Sequence, residues 1–291
     1  MIEFIVLDSE TDLSLEQFLA QKIPAAPRAY LRQLIKKGKV GNASGPMTQE
    51  HITTPGETIH LPASQRLSEL LTALPGVPDI LYESRELLIV NKPAGLAVHS
   101  SQGHEKDNLV DRIRSFLKAR GEQFTVAPIQ RLDLETSGPV LFGKGTKSCS
   151  ELGKVFMRGD VKKTYLALVQ GRMQGRGTLI SEIPAKEKLK TAATGYQVLA
   201  GHPSASLLEI ELHTGRQHQI RRQLADLGHP LFGDRRYHGP CPQKLSRLFL
   251  HCRRLAFIDP FQKQLIDINC PLPDKLTRFL EHIDIQALPG H

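Results

Sequence analysis

The sequence predicts an α+β protein: a large domain on a mixed, mainly antiparallel sheet, preceded by a small α/β domain. Three observations predict it. Leu208, Ile210 and Leu212 alternate with Glu209 and Glu211, the pattern of an antiparallel strand with one buried face. Strand-like runs follow one another through turns, and helical stretches do not alternate with them strictly, as a doubly wound sheet would require. The pattern also changes near residue 65, ahead of Pro75-Gly76-Val77-Pro78, so residues 1–65 read as a small domain, 66–79 as a linker and 80–291 as the main domain.

In the small domain, Leu15, Phe18 and Leu19 have helical spacing until Pro24 and Pro27 interrupt it. A second helix fits Arg28 to Lys37, with Gly38 as its stop, and Arg28, Arg32 and Lys36 recur every four residues on one face. Thr58 to Leu61 reads as a strand. Residues 1–65 hold six basic and seven acidic side chains, a net charge of −1, yet Gln17 to Gln49 holds all six basic ones and no acid. Such segregation suits a face that meets phosphate better than an ordinary solvated helix. In the linker, Leu67, Leu70 and Leu71 suffice for one helical turn.

The main domain opens with strands at Ile80–Glu83 and Leu87–Val90, a turn at Asn91–Gly95 and a resumed strand at Leu96–His99. Leu109, Ile113, Phe116 and Leu117 mark an amphipathic helix. Further helices fit Cys149–Phe156, Gln217–Leu227 and Asp274–His282. Further strands fit Leu166–Val169, Leu248–Phe257 and Gln264–Ile268.

Composition narrows the function. A chain of 291 residues with 40% hydrophobic and 23% charged residues is ordinary for a folded protein, and net charge +8 with pI ≈ 9.3 points to a polyanion, nucleic acid before membrane. The N-terminus lacks the basic-then-apolar pattern of a signal peptide, and no run has the length of a membrane span, so a cytoplasmic protein is expected. His238, Cys241, His251 and Cys252 crowd together, but adjacent His251 and Cys252 on a strand face opposite ways, so no metal site is expected.

The densest chemistry lies at Arg131-Leu132-Asp133-Leu134-Glu135-Thr136-Ser137-Gly138: an arginine, two carboxylates and two hydroxyls between apolar runs. It reads either as a turn capped by Asp133 or Ser137, or as a reactive loop.

Two resemblances extend these readings. Leu15-x-x-Phe18-Leu19, Arg28-x-x-Leu31-x-x-Leu34-Ile35-x-x-Gly38-x-Val40 and Pro55-Gly56-Glu57-x-Ile59 resemble the small RNA-binding module of ribosomal protein S-four. That likeness implies that Arg28, Arg32, Lys36 and Lys39 face RNA. The main domain resembles the RluA family of RNA pseudouridine synthases through Val90–His99, Arg131-Leu132-Asp133-x-x-Thr136-Ser137-Gly138 and Lys163–Ala167. The likeness continues through Thr214-Gly215-Arg216-x-His218-Gln219-Ile220-Arg221, Leu227-Gly228-His229-Pro230 and Gly233-Asp234-x-x-Tyr237.

This resemblance implies isomerisation of uridine to pseudouridine in RNA, large-subunit ribosomal RNA before transfer RNA, with no cofactor; a monomer is expected. It implies Asp133 as the catalytic aspartate, Arg221 as the cation paired with it, and Tyr165 as the ring that stacks on the target base. Arg131 would fill the space left by the flipped base and Ile220 would pack beneath the uracil, with Gln130 and Arg216 in the same substrate site. Gln130 stands where the family commonly has His, Pro139 where an aliphatic residue is usual, and Arg222 where an apolar one is frequent. The competing readings are a non-catalytic RNA-binding protein and a hydrolase using Ser137 or Cys149. The hydrolase lacks a Gly-x-Ser-x-Gly elbow.

Overall fold

A computed structural model describes residues 1–7, 10–23, 26, 28–72, 78–100, 107–122, 124–185 and 188–285. The breaks expected at Pro24, Pro27 and 75–77 lie outside the described residues, as does the side chain of Arg28. The chain divides into two units, Met1–Val77 and Pro78–His291.

The first unit comprises β1 (Ile2–Ile5), α1 (Leu15–Lys22), α2 (Arg28–Lys36), β2 (Gly41–Asn42), β3 (Gly45–Pro46), β4 (Thr58–Leu61) and α3 (Gln65–Thr72), with sheet order β1-β4-β2-β3. A capping box starts α1: the Ser14 hydroxyl accepts from the Gln17 backbone N–H, and the Gln17 side chain accepts from that of Ser14. Leu15, Phe18 and Leu19 are then buried against Leu31, Ile35 and Ile59 in one core. Residues 66–72, where a helical turn at Leu67, Leu70 and Leu71 was expected, form most of α3. Leu67 is fully buried in that core, Leu70 and Leu71 pack on it, and Arg66 lies over the Tyr30 ring at 4.4 Å.

The second unit begins with β5 (Ile80–Glu83), β6 (Leu87–Lys92), α4 (Leu109–Ala119), β7 (Val126–Pro128), β8 (Gly138–Lys144) and α5 (Thr146–Arg158). It continues with β9 (Val161–Gln170), β10 (Arg176–Ala185), β11 (Lys188–His202), β12 (Ala205–Leu212), α6 (Gln219–Asp226), β13 (Leu250–Ile258), β14 (Leu265–Asn269) and α7 (Asp274–His282). Its two antiparallel sheets have the orders β5-β6-β8-β7 and β10-β11-β12-β9-β13-β14. The fold is α+β with mainly antiparallel sheets. No helix among the described residues is long and apolar enough to cross a membrane.

Two segments depart from expectation. Leu96–His99 does not resume a strand: the Ala97 and Val98 carbonyls accept from the Leu109 and Val110 N–H groups, so the segment braces the start of α4 instead. Conversely, β10 and β11 form a long hairpin that no sequence pattern announced.

The sheets meet where β8 begins. Ser137 and His251 form a parallel bridge, and the Cys252 N–H donates to the Ser137 carbonyl at 2.8 Å. Gly138 permits this approach. Its φ is +127°, and a Cβ there would lie 2.2 Å from the Cys252 carbonyl oxygen.

Candidate active site

β7 and β8 are antiparallel neighbours, and the segment Arg131–Ser137 runs between them. The segment is clamped along its backbone. The Thr136 N–H donates to the Asp133 carbonyl at 3.1 Å, closing a turn, and Gly95 N–H donates to the Leu134 carbonyl at 2.8 Å. Lys92, fully buried, donates through Nζ to the carbonyls of Pro93 (2.9 Å), Leu96 (2.8 Å) and Leu134 (3.1 Å). Burial pulls its pKa down to about 7 with Arg247 assisting, while Asp133 opposes the fall; the ammonium is the form that serves all three carbonyls.

Arg247 Nη2 reaches the loop from another side, donating to the Glu135 carbonyl at 3.3 Å and to Ser137 Oγ at 2.8 Å. The Cys270 carbonyl, which can only accept, takes Nε2–H of His251 at 3.0 Å, so neutral His251 accepts at Nδ1 from the Ser137 hydroxyl at 2.9 Å. Burial holds His251 down to about 4, keeping it neutral. The capped-turn reading is thereby amended: the Ser137 hydroxyl serves the neighbouring strand rather than its own turn, and Thr136 Oγ1 is buried without a hydrogen-bond partner.

Asp133, so presented, opens into a cavity of about 410 Å³, within the usual range for ligand pockets. The cavity brings together Gln130, Arg131, Asp133, Tyr165, Arg216, Ile220 and Arg221, drawn from loop, strand and helix. Tyr165 projects from β9 and is 6% exposed; burial first, then the neighbouring Cys252 thiol, holds its phenol well above the ordinary value, so it stays protonated. Ile220, at the start of α6, is buried. Arg131 is exposed at the mouth.

Three expected roles look different in atomic detail. Arg221 does not pair directly with Asp133. Its Nε and Nη2 donate bidentately to Asp234 at 2.6 and 2.7 Å. Asp234 is fully buried and also accepts from the Arg236 and Tyr237 N–H groups, so it requires a charged partner, whereas the Asp133 side chain keeps 20% exposure. Burial opposes the charge on Arg221, but Asp234 and then Asp133 more than offset it, raising its pKa. Gln130 lines the cavity, yet its amide is spent on β8, accepting from Leu141 N–H and donating to the Pro139 carbonyl, both at 3.2 Å. Arg216 is tethered to β11 through Nε and the Thr191 carbonyl at 3.3 Å.

His218 is the neighbour of Asp133 that sequence reasoning missed. Its Nε2 lies 3.9 Å from Asp133 Oδ1, and its Nδ1 lies 3.1 Å from the Tyr237 hydroxyl. Its backbone is left-handed, φ 53°, where α6 begins. Burial lowers its pKa and Asp133 partly restores it. The signal was present, since His218 sits in the same short motif as Ile220 and Arg221.

A larger cavity, about 670 Å³, lies across the six-stranded sheet, lined by Thr164, Glu209 and Glu211, whose strand positions alternate with Tyr165, Ile210 and Leu212. Three of its four Lys and Arg side chains pair within it, as Lys162–Glu211, Arg253–Glu209 and Arg254–Asp267, and Arg176 is the fourth.

The family model described as RNA pseudouridylate synthase matches residues 86–226. An RNA pseudouridine synthase of Bacillus subtilis (strain 168) is 35% identical over 221 residues, 71% of this chain and 73% of that one. Ribosomal large subunit pseudouridine synthase D of Nitrosomonas europaea is 31% identical over 301 residues, 97% of this chain and 88% of that one. The solved structure of human RNA pseudouridylate synthase domain containing 4 shares the fold, with TM-score 0.59 and 23% identity over 72% of this chain and 94% of that one. With relatives this similar over most of both chains, the protein belongs to the RNA pseudouridylate synthase family, as an isomerase of the RluA type.

Proposed function

We propose that this protein converts uridine to pseudouridine in large-subunit ribosomal RNA, with Asp133 as the catalytic carboxylate. The observation that carries this reading is the single cavity in which Asp133 faces Tyr165, Ile220, Arg131 and Arg221. Relatives named as ribosomal large subunit pseudouridine synthases D and C support the choice of RNA. All the cavity residues come from one unit of one chain, which fits action as a monomer, and the cytoplasm is where we place that action.

The target uridine leaves its stack, at a cost of a few kcal/mol, and an aromatic face such as Tyr165 returns about 1–3 kcal/mol. Arg131 at the mouth takes the vacated place, and Ile220 supports the ring. The N1–C1′ bond then breaks, either through attack of the Asp133 carboxylate on C1′ or through removal of the C2′ proton to give a glycal. The uracil turns and bonds to C1′ through C5; C5 loses a proton and N1 gains one. The Tyr165 phenol, whose pKa burial raises, lies in the same cavity as Asp133 and is placed to assist proton removal from C5. Arg221, held by Asp234, keeps positive charge beside Asp133.

We assign the first unit to RNA binding in the manner of the ribosomal protein S-four module, through Arg28, Arg32, Lys36 and Lys39. Lys36 and Lys39 are exposed, while Arg32 is partly answered by Glu16 at 3.3 Å. The test is pseudouridine mapping of total RNA from cells with and without the gene. The expected result is loss of signal at defined uridines of large-subunit ribosomal RNA. Loss confined to transfer RNA overturns the choice of RNA, and no loss anywhere overturns the activity.

A further inference from the structure

Uncompensated charge marks a third cavity. Where the 244–247 loop meets α7, a cleft of about 310 Å³ is lined by Lys244, Arg247, Lys275, Arg278 and His282, over a floor that includes Phe279. Lys275, Arg278 and His282 recur at helical spacing, while Leu276, Phe279 and Leu280 bury the opposite side of α7 in the core. Among the described residues no carboxylate lines this cleft, and none lies within ion-pair distance of Lys244, Arg247, Lys275 or Arg278. Lys244 Nζ instead turns to His282 Nδ1 at 3.3 Å, one basic group donating to another.

Other cations are answered: Lys22 pairs with Glu10, Arg112 with Asp107 and Lys144 with Glu83, and three of the four Lys and Arg side chains lining the 670 Å³ cavity have a carboxylate partner. Gathering like charges without counter-charge costs repulsion that a bound polyanion relieves, and the released counterions add affinity. The cleft is also joined to the site chemistry: Arg247 lines it while its Nη2 grips Glu135 and Ser137 in the loop that carries Asp133.

We infer that this cleft seats backbone phosphate of the RNA strand flanking the target uridine. The inference rests on the RNA substrate proposed above and adds a binding surface outside the cavity. Arg247 would then meet both the substrate backbone and the loop that presents Asp133.

The test uses the full chain and in vitro transcribed large-subunit ribosomal RNA as probe, with Kd measured across a salt series. Lys275→Glu/Arg278→Glu leaves Arg247 and the loop intact. The expected result is a Kd raised at least about tenfold near physiological salt. The slope of log K against log salt should also become shallower by about 1.5–2, because two phosphates are no longer neutralised. Lys275→Gln/Arg278→Gln gives a smaller rise in Kd with a similar change of slope, and serves if the charge reversal fails to fold. An unchanged slope with the folded Gln variant overturns the seat. Wild-type protein that binds the RNA with this slope difference but forms no pseudouridine keeps the seat and sinks the proposed substrate or activity. Wild-type protein that binds no RNA overturns both.

Discussion

Arg221 and Asp234 form the tightest ion pair of the site, fully or nearly buried and bidentate. Breaking it from one side strands a buried charge. Arg221→Met should therefore lower stability by about 3–5 kcal/mol in urea unfolding, whereas Arg221→Met/Asp234→Leu should lose clearly less. A double variant as unstable as the single one would contradict the pairing. His251 makes a second residue-scale prediction. Its folded pKa of about 4 lies below the ordinary 6.5, so between those values the unfolded chain holds a proton that the folded chain refuses. Its stability contribution is complete above pH 6.5 and lost as pH falls toward 4, about 3 kcal/mol in all. His251→Gln should flatten that part of the stability–pH curve, and an unchanged curve would refute the assignment. At this scale the meeting of Asp133, Tyr165 and Ile220 in one cavity was legible, because each lies in a short motif of the resemblance. The Asp234 partnership was not: it depends on how α6 packs against the turn after Gly233, and no spacing reveals which carboxylate is desolvated. His218 was visible in the same motif as Arg221 but carried no distance to Asp133.

Between β7 and β8, the loop takes its shape from its neighbours. Its carbonyls are held by Gly95, Lys92, Arg247 and Cys252, contributed by segments far apart in sequence. Gly138→Ala tests this clamp. The positive φ and the 2.2 Å approach to the Cys252 carbonyl mean that the two sheets must part, at about 3 kcal/mol or more. Thermal unfolding should show a fall of several degrees, and a melting temperature equal to wild type would contradict the close crossing. The strands flanking the loop were readable from their apolar runs. The β10–β11 hairpin was not: exposure alternates along β10, but Ile180 and Leu189 sit on exposed positions, so the apolar residues do not mark its buried face. Leu96–His99 misled for the opposite reason: apolar residues buried at a helix start look like a buried strand.

For the whole molecule, charge is the organising quantity. Basic side chains are segregated: Lys36, Lys37 and Lys39 cluster within a first unit whose seven basic and eight acidic residues leave it at −1, and Lys244, Arg247, Lys275 and Arg278 line the cleft beside α7 in the second, which carries all of the net positive charge. Lys36→Glu/Lys39→Glu should raise Kd for large-subunit ribosomal RNA several-fold and make its salt dependence shallower by about 1.5–2. Equal slopes would remove the first unit from the RNA interface. The segregation of this charge was legible from sequence, since six basic residues without an acid need no coordinates to notice. The α7 cleft was not, because it joins a loop to a helix about 30 residues on.

The most direct test replaces a single atom type. Wild-type protein and Asp133→Asn are incubated with in vitro transcribed large-subunit ribosomal RNA, and pseudouridine formation and RNA affinity are measured separately. The expected result is pseudouridine at defined positions with wild type, and with Asp133→Asn a rate lower by roughly 10³-fold or more at near-unchanged Kd. An Asp133→Asn variant that still forms pseudouridine at a comparable rate would contradict the account at its centre.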